Sequence, residues 1–145
     1  MKSRFLFIAV CLASLAGCSK PPQAQSISPT NTADERIQQI PPADQKYGAT
    51  HDTKSWRNPY LLVKKDGIWL VDLPNNEERP LGSDHVLDAL AALPASAWPY
   101  GRVVAVQEIG ADASDDDRVA IRKNRAVLAG TLEGAKVLIS WFPPA

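Results

Sequence analysis

The most reactive side chain in this sequence is Cys18. A thiolate is the strongest nucleophile on offer and the group suited to forming a thioether. The other cysteine, Cys11, lies seven residues earlier in an apolar run, so the chain beyond Cys18 has no thiol pair and no disulfide-stapled fold is expected. Asp84, His85 and Asp88 lie close together, with 84 and 88 on one helix face. A metal site needs three or four converging ligands with outer support, and the alternative is a solvated helix start favoured by its acids. Residues Asp112, Ala113, Ser114, Asp115, Asp116 and Asp117 suggest oxygen ligands for calcium. A helix–loop–helix calcium loop starting at Asp112 requires Gly at its sixth position and Glu at its twelfth; the chain has Asp117 and Lys123 there. The stretch reads instead as a solvated helix cap.

A paired-carboxylate mechanism could use Glu108 with an Asp of the 112–117 loop, although nothing in the sequence fixes their separation. Ser83, Ser96, Ser114 and Ser140 stand in neither G-x-S-x-G nor S-x-x-K settings, and there is no phosphate loop or dinucleotide glycine fingerprint. No metal and no cofactor is expected. Trp98, Tyr100 and Arg102, around Pro99 and Gly101, have the composition of a binding hot spot. The same residues could equally cover the open end of a small core. Arg118, Arg122, Lys123 and Arg125 could meet an anion, but their acidic neighbours favour a self-compensated surface helix.

These residues must be positioned by a domain expected over residues 59–145. Tyr60 to Lys65 and Ile68 to Asp72 read as two strands joined by Asp66-Gly67, a strong type I′ hairpin signal. Pro74 to Pro80 reads as a polar loop. Val86, Leu87, Leu90 and Leu93 recur at helical spacing behind Gly82 or Ser83 as cap, and Pro94 closes that helix. Arg102 to Ile109 reads as a strand buried on both faces. A second helix is predicted from Asp116 to Glu133, capped by Ser114 or Asp115, with Ile121, Leu128 and Leu132 as its apolar stripe and Gly134 as its stop. Lys136 to Phe142 reads as the last strand. The order β-β-α-β-α-β predicts an α/β (α+β) two-layer sandwich with a mixed sheet, its core supplied largely by Trp69, Trp98, Trp141 and Phe142.

The N-terminus is of another kind. Lys2 and Arg4 precede the apolar run Phe5 to Ala13, which is too short for a bilayer-spanning helix and fits an export signal. The run ends in Leu15-Ala16-Gly17-Cys18, which resembles the lipobox of bacterial lipoproteins at all four positions. The resemblance implies a signal peptide over residues 1–17, removed before Cys18, and acyl chains on the Cys18 thiol and usually on its new amine. The alternatives are an ordinary signal cut elsewhere, or a plain apolar anchor. Two or three acyl chains hold a protein stably, at about 0.8 kcal/mol per buried methylene. Ser19, not Asp, follows the cysteine, and for enteric-type bacteria the resemblance then implies the periplasmic face of the outer membrane. Residues 18–58, rich in Pro, Gln, Ser, Thr and Ala, read as a lipidated N-terminus and flexible tether of about 40 residues with a coil reach of about 35 Å.

The element order also resembles the periplasmic domain of ExbD/TolR-type proteins, through the Asp66-Gly67-Ile68-Trp69-Leu70 hairpin and the Leu87–Leu93 helix. Those proteins carry a transmembrane helix with a functional Asp that this chain lacks, so the resemblance bears on fold alone. Trp98 to Val106 is similar to segments of uncharacterised proteobacterial envelope lipoproteins, which carries no function with it.

The formal net charge is zero, with 16 basic and 16 acidic side chains. Removing Lys2 and Arg4 leaves 14 basic against 16 acidic, which excludes the basic footprint of a nucleic-acid partner. The expected function is therefore that of a membrane-anchored, non-enzymatic module binding a protein or envelope component, or assisting envelope assembly. The alternative is an envelope hydrolase with an unrecognised carboxylate site.

Overall fold

The computed structural model describes residues 31–49 and 52–145. The expected signal peptide, Cys18 and the first part of the expected tether lie outside the described residues. The chain forms helix α1 (Ala33–Gln38), strands β1 (Tyr60–Lys64), β2 (Gly67–Asp72) and β3 (Glu77–Leu81), helix α2 (Val86–Ala91), strand β4 (Val103–Glu108), helix α3 (Asp115–Gly134) and strand β5 (Leu138–Phe142). The five strands make one mixed sheet in the order β3-β2-β1-β4-β5. Strands β1, β2 and β3 are an antiparallel meander, while β4 runs parallel to both β1 and β5.

The predicted α+β architecture is the one found, with one more strand than expected. Residues of β3, expected within a polar loop, pair with β2 from Ile68↔Leu81 to Asp72↔Glu77. Its residues Glu77 to Pro80 are exposed, so no apolar alternation marked it as a strand. Two acids, an arginine and a proline on an open edge also discourage pairing with another chain. The β1–β2 hairpin forms where expected, but Lys64 pairs with Gly67 and the loop is Lys65-Asp66. Neither loop residue has positive φ, so the turn is not type I′; Gly67, at φ 141°, takes up the reversed backbone just after it.

One face of the sheet is covered by the three helices. Leu61 and Val63 of β1, Ile68 and Leu70 of β2, and Val104 and Val106 of β4 pack with Val86 and Leu90 of α2 and with Ile121, Leu128 and Leu132 of α3. Each such buried aliphatic chain contributes about 2 kcal/mol. Helix α3 begins as its sequence dictates, with the Ser114 hydroxyl accepting from the Asp117 N–H at 3.2 Å and Asp115 to Asp117 at its positive end. The opposite face carries Val103, Ala105 and Phe142, against which Trp56 packs. Residues 32–58 were expected in the tether, and much of this stretch is built into the domain instead. Ile37 and Asn58 are fully buried and Trp56 is 2 % exposed. Single anchors, rather than a periodic stripe, fix this stretch. Trp69 and Trp141, expected in the core, are only half-buried; Lys64 lies over Trp69 at 4.5 Å and Arg125 over Trp141 at 4.3 Å.

Candidate functional site

The loop from Ala95 to Arg102 is where the chain concentrates aromatic rings, glycine and a cation, and its surroundings decide which of them a ligand could meet. A 3-10 turn at Ala95–Ala97 leads into Trp98, which is 5 % exposed and packs in the helix-side core. Its indole N–H is buried without an acceptor among the described residues. Arg102, 9 % exposed, sends Nη1 to the Gln38 side-chain oxygen at 2.7 Å, while its Nε is buried without a partner among the described residues. Tyr100 is half-buried; its ring stacks on Tyr47 at 4.6 Å and its hydroxyl donates to the Ser55 carbonyl at 2.9 Å. The structure thus brings the three candidate binding residues into one loop, with two of them inside the protein and the third held between rings of the 43–56 segment.

Asn58 fixes this loop. Its amide donates to the carbonyls of Gly101 at 2.7 Å and Val103 at 2.8 Å, and its oxygen accepts from the Tyr100 N–H at 2.9 Å. A fully buried Asn with its oxygen and its amide both engaged is a lock on backbone position. Nothing in the sequence distinguished it from any other Asn preceding a proline. Two exposed acids shape the stretch before it. The Lys46 N–H bonded to Asp44 and the Ser55 hydrogen bond to Asp52 hold both carboxyls below their ordinary range.

The turn at 93–97 separates two surface hollows. The larger, about 800 Å³, opens beside the end of β2 and the start of β3; Leu70, Leu73, Leu93 and Ala97 line it, and Arg57, Arg79 and Glu77 stand around it. Arg57 is turned back onto the carbonyls of Lys54 and Trp56. The smaller, about 400 Å³, lies between α1 and α2, with Trp98 in its lining and Arg36, Ile40 and Leu93 around it. An apolar surface with a few polar groups at its margin suits a protein or small amphipathic ligand.

The other candidate groups do not converge. Glu108 is held by Arg125 at 2.8 Å, whereas Asp117 is held by Lys65 at 3.2 Å and Asp115 by Arg118 at 3.5 Å. Glu108 and the loop acids Asp115 and Asp117 are therefore each engaged by a different cation. His85 lies 3.5 Å from Asp84 and 3.6 Å from Asp88, all three exposed. Among the described residues no group of three or more His, Cys, Asp or Glu is placed to hold a metal ion. Nor, among them, is any helix long and apolar enough to cross a membrane. No protein-family model, curated protein or solved structure matches the chain.

Proposed function

We propose that the protein is a lipid-anchored binding module of the bacterial cell envelope. Acyl chains on Cys18 hold it to the membrane, at the periplasmic face of the outer membrane, and it engages a protein or another envelope component without catalysis. The anchoring half of this reading rests on the Leu15-Ala16-Gly17-Cys18 sequence behind a short apolar run. The binding half is carried by the 800 Å³ hollow beside β2 and β3, which offers Leu70, Leu73 and Leu93 as apolar ground and Arg79 as an exposed cation. The separate ion pairs of Glu108 and Asp117 favour binding over the hydrolase alternative.

The fold sharpens the anchoring. Because the chain is built into the domain from Thr32, only residues 19–31 separate the lipidated cysteine from it. Thirteen residues span at most about 45 Å in any conformation. The domain therefore works close to its membrane.

The test has two arms. In a native host, labelled palmitate enters the protein and fails to enter Cys18→Ser; absence of label in the wild type overturns the anchoring. A photoreactive residue at position 79 gives discrete crosslinked products in cells, and Leu73→Asp, which places a charge in the hollow, reduces them at least about tenfold. Products unchanged by Leu73→Asp, or none at all, overturn the hollow as the binding surface.

A further inference from the structure

The segment that covers Trp98 and Arg102 is joined to them by an unusual set of contacts. Residues 32–42 run from α1 to Pro42 as a strap over the start of β4. The strap's apolar fastenings are the fully buried Ile37 and the partly buried Ile40, both packed against the helix-side core. Its polar fastenings are Gln38 Nε2 donating to the Ala135 carbonyl at 2.7 Å, Arg102 Nη1 donating to Gln38 Oε1 at 2.7 Å, and the Arg102 N–H donating to the Pro41 carbonyl at 2.7 Å. Pro42 and Arg102 form an isolated parallel bridge just before β4. Gly101, at φ 77°, makes this possible. A β-carbon there would meet the Pro41 carbonyl oxygen at 2.8 Å and the Pro42 carbonyl oxygen at 2.9 Å.

The fit is incomplete. The buried indole N–H of Trp98 and the Nε–H of Arg102 find no acceptor among the described residues, and a 400 Å³ hollow opens between the strap and α2. Each buried donor without a partner is a cost of the closed form. The surface beneath offers three donors, an indole N–H, a guanidinium and a backbone N–H, and one acceptor, the Ala135 carbonyl. The strap answers them with one amide oxygen and one carbonyl. A carboxylate facing the guanidinium would form an ion pair, a stronger bond than an amide oxygen makes to the same cation, at the loss of the amide's bond to the Ala135 carbonyl.

We infer that residues 32–42 are a releasable internal cover, occupying a site on Trp98 and Arg102 that receives an acidic peptide segment of a partner. The cover joins the domain to the thirteen residues that lead to Cys18, so its release also lengthens the leash. Freeing residues 32–42 adds about 35 Å of reach. The use of this device in the envelope rests on the binding function proposed above; the release of the strap does not.

Hydrogen exchange on the full chain tests the release. In Ile37→Ala the Arg102 amide, bonded to Pro41, exchanges at least about 30-fold faster than in the wild type. The Ala105 amide, bonded to Pro59 within the sheet, keeps its rate. Gly101→Ala, which pushes on the strap's backbone instead of removing its anchor, reproduces the pattern. If Arg102 and Ala105 accelerate together in both variants, the strap is an integral part of the core and the inference is overturned. The second arm uses a synthetic peptide of residues 32–44 carrying Gln38→Glu as the probe. It binds the Ile37→Ala protein at least about tenfold more tightly than the wild type, and the binding weakens with salt. Equal affinity for both proteins, no binding, or binding indifferent to salt overturns the acidic-segment site. Neither arm depends on acylation, so failure here leaves the anchoring by Cys18 standing, and failure of palmitate labelling leaves the strap standing.

Discussion

The two faces of the sheet are closed in opposite ways. On one, helix α3 lays Ile121, Leu128 and Leu132 against the strands in a repeating stripe, with α2 adding Val86 and Leu90. On the other, a stretch with a single 3-10 turn at Gln45–Ala49 does the covering through rings. Trp56 meets Tyr100 and Phe142 edge-on at 5.5 Å, and Tyr47 stacks on Tyr100. The difference teaches that a periodic cover shares its load among many equivalent contacts, whereas an irregular one depends on a few anchors. Loss of a single anchor is therefore felt across the whole irregular cover.

The widest consequence is that Trp56→Ala destabilises the protein by about 4 kcal/mol, at least as much as Leu128→Ala at about 3 kcal/mol, in urea denaturation. A Trp56 effect below about 1 kcal/mol would mean that the irregular cover contributes little and the two faces are not comparable. Asn58→Ala follows at about 3 kcal/mol, because it strands the Gly101 and Val103 carbonyls and the Tyr100 N–H. Asn58→Asp fails to rescue, since a carboxylate has no N–H for those carbonyls; full rescue would show that the oxygen alone matters. On the helical side, Arg125→Met costs less than about 1 kcal/mol, as Arg125 is half exposed in its pair with Glu108 and its contact with Trp141.

The smallest effect is a pH dependence on the ring side. Burial, and then the nearby Glu78 carboxylate, raise the Tyr60 phenol above its ordinary value of 10.0. The folded state thus holds this proton more tightly than the unfolded chain does. The stability it contributes is complete below pH 10 and is lost as pH rises above 10 through the folded value. Tyr60→Phe, which also removes the hydroxyl bond to Gln107, flattens that alkaline decline in urea midpoints measured across the range. An unchanged decline would assign it to other groups.

What could be read in advance tracks this same division. Helix α3 was legible because Ser114, three acids, a three-residue stripe and Gly134 agree on its limits, and the structure places it at Asp115–Gly134. Strand β4 was legible from its unbroken run of Val and Ala, and both its faces are buried over Val103 to Val106. Strand β3 was not, since an edge strand exposed on both faces needs no apolar residues. The candidate loop was legible as a cluster but not as a place: the types of Trp98, Tyr100 and Arg102 are the same whether they face solvent or the interior.

By itself the sequence determined several features governed by neighbours along the chain: the Ser114 cap of α3, the strand run of β4 and the place of the first hairpin; the cap expected at Gly82 or Ser83 is not used, since α2 begins after His85 with no side-chain cap bond. Only the tertiary structure decided what Ile37, Trp56 and Asn58 do, and hence whether Trp98 and Arg102 lie open or covered. The physical reason is range. Capping and periodic burial act within one or two turns of chain, whereas Gln38 reaches Arg102 and Ala135 across more than sixty residues, through contacts that exist only once the sheet has formed.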